Sequence, residues 1–144
     1  MKKLILASAV MLAMTGCFED NKDDDFSCDV SHTDKMVKIV EKYKGYSWEE
    51  TSTLKLDEYG YYYEDIVTKE TFPSASAAAE ACAEARLEAS RWHDGSHTYE
   101  CSGNTVIVYD YSDNGDITER QEEYERLCRE SREMYESGAY SNDF

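Results

Sequence analysis

The sequence predicts a small, disulfide-bonded α+β domain, a four-stranded antiparallel sheet of two hairpins packed with three helices. Three observations lead there. Hydrophobic spacing switches between a helical period of three to four and a strand period of two, in the order helix, hairpin, helix, hairpin, helix. Four of the five cysteines, Cys28, Cys82, Cys101 and Cys128, lie beyond residue 27 and form an even set apart from Cys17. Setting aside residues 1–16 leaves 128 of the 144, enough for one core but not two, so 28–138 is expected to be a single domain.

The first helix is expected directly after Cys28. Ser31 and Asp34 sit at capping-box spacing with His32 in the cap region, Met36, Ile39 or Val40, and Tyr43 recur on one face, and Gly45 supplies the stop. From residue 50 the period becomes two. Thr51 to Asp57 and Tyr61 to Thr68 read as a hairpin with Gly60 between the strands. Tyr59, Tyr61, Tyr62 and Tyr63 put rings on both faces of that strand, so some must stay exposed or meet another element. A second helix follows from about Ser74 to Trp92, its stripe running Ala75, Ala78, Cys82, Ala85, Ala89 and Trp92. Thr98 to Tyr111 then forms a second hairpin around Gly103-Asn104. The last helix, Ile117 to Ser137, is capped by Asp116 with Glu119, buries Tyr124, Leu127, Cys128, Ser131 and Tyr135, and ends at Gly138. Residues 139–144 are expected to be a mobile tail.

Four cysteines allow three connectivities, and geometry selects one. Cys82 lies ten residues before its helix ends, about 15 Å at 1.5 Å per residue, and the returning strand from His97 to Cys101 covers a similar distance. Cys82 is therefore expected to bond Cys101, leaving Cys28 with Cys128.

The amino terminus carries its own pattern. Lys2 and Lys3 precede an apolar run, Leu4 to Met14, that is too short to span a bilayer and closes on Met14-Thr15-Gly16-Cys17. That closing tetrapeptide resembles the lipobox of bacterial lipoproteins, with Met14 where the usual residue is Leu. The resemblance implies removal of a signal peptide at 1–16 and lipidation of Cys17 as the first residue of the mature chain. It also implies a stable membrane anchor, since two or three acyl chains hold a protein where one does so only marginally. In such lipoproteins an Asp after the cysteine favours retention at the inner membrane. Phe18 stands there instead, which implies the outer membrane, with the domain in the periplasm or at the surface. Residues 17–27, the lipidated cysteine and an acidic run poor in apolar residues, read as a solvated tether.

Charge narrows the partners. Without residues 1–16, 13 basic residues face 31 acidic ones, a side-chain sum of −18. There is no basic patch to neutralise phosphates, so nucleic acid is excluded as a partner; such a field attracts cationic proteins or divalent ions instead. One stretch bears on the second possibility. Asp110 to Gln121 resembles an EF-hand calcium loop, with Asp110, Ser112, Asn114, the carbonyl of Asp116, Thr118 and Gln121 on the ligand positions and Gly115 on the sharp turn. It departs from that pattern in having Gln121 for the bidentate Glu and a strand, not a helix, before it. The competing reading of the same residues is a strand-to-helix turn in which Asp116 caps the helix. His93-Asp94-Gly95-Ser96-His97 has only generic metal spacing and reads as a turn. No G-x-S-x-G, H-E-x-x-H or Gly-rich phosphate loop is present, so the chain is not expected to be an enzyme and no cofactor is expected beyond calcium at that loop.

These readings lead to an outer-membrane-anchored binding module of the cell envelope. Its partner is expected to be an envelope protein or polymer, and an inhibitor- or immunity-like form would block a cationic enzyme. Known lipoprotein lysozyme inhibitors share the setting and the disulfides, but none of their motifs is found here. The alternatives are a calcium-responsive structural lipoprotein using the 110–121 loop, and an accessory lipoprotein with no tight ligand.

Overall fold

The computed structural model describes residues 26–140. The signal segment, Cys17 and most of the tether lie outside the described residues, as do 141–144. Six strands form one fully antiparallel sheet: β1 (Ser27–His32), β2 (Met36–Tyr43), β3 (Tyr46–Leu56), β4 (Tyr62–Thr71), β5 (Thr98–Ser102) and β6 (Thr105–Ser112). The spatial order is β1-β2-β3-β4-β6-β5. Two helices complete the domain, α1 (Ala75–Ala89) between β4 and β5, and α2 (Ile117–Glu136) at the end.

The expected four-stranded sheet with three helices is overturned by this arrangement. Residues 31–45 form no helix; they are the end of β1, all of β2 and the turn into β3. The reason is specific. Val37, Ile39, Glu41 and Tyr43 alternate inward along β2, but Glu41 interrupts the apolar series, leaving Met36, Ile39 and Tyr43 to imitate a helical stripe. Gly45 compounds the error. A glycine in the left-handed region suits a helix end and a two-residue hairpin equally, and here Lys44 (φ 45°) and Gly45 (φ 82°) together make the tight β2–β3 turn.

Both helices lie on one face of the sheet. Ser74 caps α1 by accepting the backbone N–H of Ala77 at 3.2 Å, and the small side chains Ala78, Ala81 and Ala85 bring that helix close over β5 and β6. Helix α2 covers β1 to β3 through Tyr124, Cys128 and Ser131. Val37, Ile39, Tyr46, Trp48, Phe72, Val106 and Tyr124 fill the space between. Disulfides join Cys28 to Cys128 and Cys82 to Cys101, so each helix is bonded to an edge strand of the sheet. In the loop-entropy picture, separations of 100 and 19 residues contribute about 4.7 and 3 kcal/mol. The tail expectation also needs correction at its start. Tyr140 is buried, donates to Glu41, and packs with Phe26, Tyr43 and Tyr135 in a cluster of rings 5.0–5.7 Å apart. Phe26 and Tyr140 are therefore part of the packed domain.

The covered face carries a row of acids. Glu41, Glu50, Glu64 and Glu70 all point under the helices, each with named partners. Glu64, fully buried, accepts from Ser52 Oγ at 2.6 Å and from Arg120 Nε at 2.7 Å, while Arg120 Nη1 also donates to Glu123 at 2.8 Å. Glu50 accepts from the Tyr124 hydroxyl at 2.8 Å and from Thr68 at 2.9 Å. Glu70 accepts from the Tyr46 hydroxyl at 2.7 Å. Burial raises Glu41 and Glu50 above the usual carboxylate range, against the lowering effect of their hydroxyl partners. It pushes Glu70 from 4.5 to about 7, with the Tyr46 hydrogen bond opposing and the Glu84 and Glu50 carboxylates adding.

Two outcomes follow from this layer. Arg120→Leu leaves Glu64 buried without its cation, and urea unfolding is expected to show a loss of about 3–5 kcal/mol, largely recovered when Glu64→Gln is added. Glu70 ionises more easily unfolded than folded, so its contribution is fully present below pH 4.5 and is lost as pH rises through about 7. Glu70→Gln should match the wild type at acid pH and exceed it by about 3 kcal/mol above neutrality. A constant difference across that range would show that Glu70 does not titrate in this way.

Candidate functional site

Register places two ends of the sheet far apart. At one end Ser27 pairs with Lys42 and Tyr43 with Tyr46, and the chain enters the domain there at Phe26. At the other, Leu56 pairs with Tyr62 and Glu64 with Ser112. Strand β3 has 11 residues, which at about 3.3 Å each separates the ends by roughly 35 Å.

The end remote from Phe26 holds a cleft of about 480 Å³ lined by Asp57, Tyr63, Asp65, Ser96, Tyr109, Asp110, Tyr111 and Asp113. Each wall has a local cause. Asp57 opens the β3–β4 turn, where its Oδ1 accepts the backbone N–H groups of Tyr59 (2.9 Å) and Tyr61 (2.8 Å), with Gly60 in the left-handed region at φ 86°. Tyr63, Asp65, Tyr109 and Tyr111 point to the face without helices, because Asp65 pairs with Tyr111 and Val67 with Tyr109. Lys55 pairs with Asp65 across the hairpin. Beside the cleft, Leu56, Tyr59, Tyr61 and Tyr62 are 56, 78, 73 and 60% exposed, the largest concentration of bare apolar surface in the described residues.

Behind the cleft lies His97. It is 9% exposed, stacks on Trp92 at 6.1 Å between centroids, and neither ring nitrogen has a hydrogen-bond partner. Its Nδ1 faces Asp110 Oδ1 at 3.5 Å, beyond a normal hydrogen bond.

The calcium candidates fall at the same end but do not converge. Asp110 Oδ1 accepts the Tyr111 N–H at 2.7 Å, and Ser112 Oγ accepts that of Asn114 at 3.2 Å. Asn114 Nδ2 donates to Glu119 at 2.8 Å. Asp116 caps α2 through the N–H groups of Thr118 (3.0 Å) and Glu119 (3.2 Å), while Gln121 donates to Glu125 one turn further along. Thr118 is exposed on the first turn of the helix. Among the described residues no group of three His, Cys, Asp or Glu side chains is placed to hold a metal ion. Gly115 is not in the left-handed region that a sharp loop turn needs. It is required by close approach instead, since a Cβ there would lie 2.6 Å from Tyr62 Cβ and 2.9 Å from the Tyr62 carbonyl oxygen.

Of the residues singled out from the sequence, the structure brings Asp110 into the cleft. Tyr63, one of the tyrosine run singled out for its exposed rings, lines it as well, whereas Asp57, Asp65, Ser96, Tyr109, Tyr111 and Asp113 were missed. Their one sequence signal is the surplus of tyrosine flanked by aspartate at strand ends, and it identifies no cleft until β4 and β6 are known to be neighbours.

Gly115→Ala forces backbone and side chain apart at Tyr62, and a loss of about 1–3 kcal/mol is expected in chemical unfolding. An unchanged midpoint would mean that the contact between the β6–α2 loop and the hairpin is loose. No protein-family model matches the chain, and no curated protein and no solved structure is detectably similar to it, so its function has to be read from the site itself.

Proposed function

We propose that this chain is a lipoprotein of the outer membrane, tethered through Cys17, that binds a cationic protein with the acidic, tyrosine-rich end of its sheet. The observation that carries this reading is the gathering of Asp57, Asp65 and Asp113 with Tyr63, Tyr109 and Tyr111 around one cleft, beside three exposed tyrosines. Tyrosine supplies rigid contact area at low entropic cost, and the carboxylates supply steering and selection by charge. The fold supports a directional role as well. The tether joins at Phe26, and the site lies at the opposite end of the strands, so a chain anchored at Cys17 would hold the site away from the membrane. The reaction this protein carries out on its partner, on this view, is occlusion and not chemistry.

Binding of an oligoarginine peptide, and of lysozyme as a folded cationic protein, tests the proposal. Affinity for the peptide should fall steeply with ionic strength, because exposed charges more than about 10 Å apart are screened at 0.1 M salt. Tyr59→Ser with Tyr61→Ser should weaken binding of whichever probe binds by roughly tenfold or more while the melting temperature stays put, since both rings are exposed. A peptide that fails to bind at low salt, or binding indifferent to both changes, overturns the proposal.

A further inference from the structure

Both helices lie on one face of the sheet, and the register identifies what the other face presents. Lys38, Lys42, Lys55 and Lys69 all point there. Its acids are Asp29, Glu49, Asp65 and Glu100, so the charges of its strand residues cancel in a chain whose formal charge is −16. Val40, Val67 and Ile107 stand between the charges. At −16 two copies repel one another, and this face is where that repulsion is lifted. Its size is that of an interface. Six strands about 4.8 Å apart, averaging eight residues of about 3.3 Å each, give roughly 750 Å², close to the 800 Å² or so that each partner of a standard stable complex buries.

We infer that a second copy of the chain covers this face, sheet on sheet, about a two-fold axis parallel to the strands. Such an axis reverses the order β1-β2-β3-β4-β6-β5, so β3 lies on β4, β2 on β6 and β1 on β5, and residues of one register row meet. In the row that joins Val40, Glu49, Lys69 and Ile107, Glu49 faces Lys69 of the second copy and Val40 faces Ile107. Glu49 meets Lys38 of its own copy at 2.9 Å, whereas Lys69 is exposed and makes no ion pair among the described residues. In the next row Lys38 faces Tyr109, a cation over a ring, and Thr51 faces Val67. Met36 faces Tyr111 in the row after that. Asp29 and Glu100 meet as like charges, at the outer rim where salt screens them. The axis leaves Phe26 of both copies at one end, so both chains enter from the same side. Self-association of this kind stands apart from the proposed function. The two meet at Tyr63, Tyr109 and Tyr111, which line the cleft and lie on this face, so a second copy and a cationic partner exclude each other there. Tyr59 and Tyr61 sit beyond the strands, in the β3–β4 turn.

Sedimentation velocity of the full chain in a non-ionic detergent should show a dimer by about 100 µM, since interfaces of this size hold at micromolar concentrations or below. Lys69→Glu sets acid against acid across the axis and Glu49→Lys sets lysine against lysine, so each alone should weaken the dimer by roughly tenfold or more. Mixed in equal amounts, the two variants are complementary at both contacts and should pair with each other about as tightly as the wild type does with itself. Mixing repairs a contact between copies and none within a copy, so recovery cannot come from the fold of either variant. Lys69→Gln, which introduces no repulsion within the sheet, should weaken the dimer by roughly threefold. A monomer at that concentration, a dimer indifferent to Lys69→Glu, or variants that stay apart when mixed overturns the inference. Association through the amino terminus gives the second of these outcomes, because it ignores residue 69. A failed oligoarginine experiment leaves the dimer standing, and a monomer leaves the cationic partner standing.

Discussion

Glu64 is a carboxylate taken wholly out of water in the middle of the sheet, and the side chain that compensates it comes from the last helix. Ser52 reaches it from the neighbouring strand and Arg120 from the first turn of α2, with Glu123 completing the arrangement. A buried acid of this kind tolerates very little displacement of its partner, because a charge stranded in low dielectric costs several kcal/mol. The start of α2 is therefore pinned over β3 and β4. Tyr124 bonded to Glu50 and Tyr140 bonded to Glu41 continue the same contact along the helix and past its end. Helix α2 thus has a polar seam against the sheet as well as an apolar one, and the Cys28–Cys128 bond holds its middle to the edge strand.

Pinning the start of α2 also positions the cleft. The segment from Ser112 to Asp116 has to run from the end of β6 to the capped helix, and it passes so near the β3–β4 hairpin that only glycine fits at 115, against Tyr62. That contact brings Asp113 and Tyr111 beside Asp57 and Tyr63, two segments about 50 residues apart in the chain. The site is in this sense a by-product of how the buried acids are satisfied. The carboxylates of Asp65 and Asp113 remain at the surface, where they cost little, while those of Glu41, Glu50, Glu64 and Glu70 are buried under hydroxyls and one guanidinium.

The two ends of the domain have opposite characters. At Phe26 the entering chain, the β2–β3 turn and the end of α2 meet in a cluster of four aromatic rings, which ties residues 26 and 140 together. At the far end the tyrosines are bare and the loops short, tethered by Asx-type turns at Asp57 and Asp94. A rigid two-layer body between them means that the direction of the tether and the direction of the site are coupled through the sheet and not through a hinge.

What the sequence determined by itself is local. Ser74 and Asp116 announce the two helix starts because a short polar side chain before an apolar stripe meets orphan N–H groups whatever surrounds it. Gly60 and Gly103-Asn104 announce their hairpins because those turns need a residue free of the Cβ penalty at positive φ. The disulfide partners were legible because rise per residue alone brings Cys101 level with Cys82. Tertiary structure decided the rest. Residues 31–45 carry a pattern that fits a helix until Glu41 is seen to be buried under Tyr140, a partner 99 residues away. In the calcium-like order of residues 110–121, tertiary structure decides what the side chains meet: Asp116 caps the helix, Asn114 bonds Glu119 and Gln121 bonds Glu125. The cleft could not be read at all, since its walls come from β3–β4, β6 and the loop before β5, and only the pairing of β4 with β6 makes them neighbours. Caps and turns depend on atoms within four residues, whereas burial of a charge and the shape of a cleft depend on which strands lie side by side.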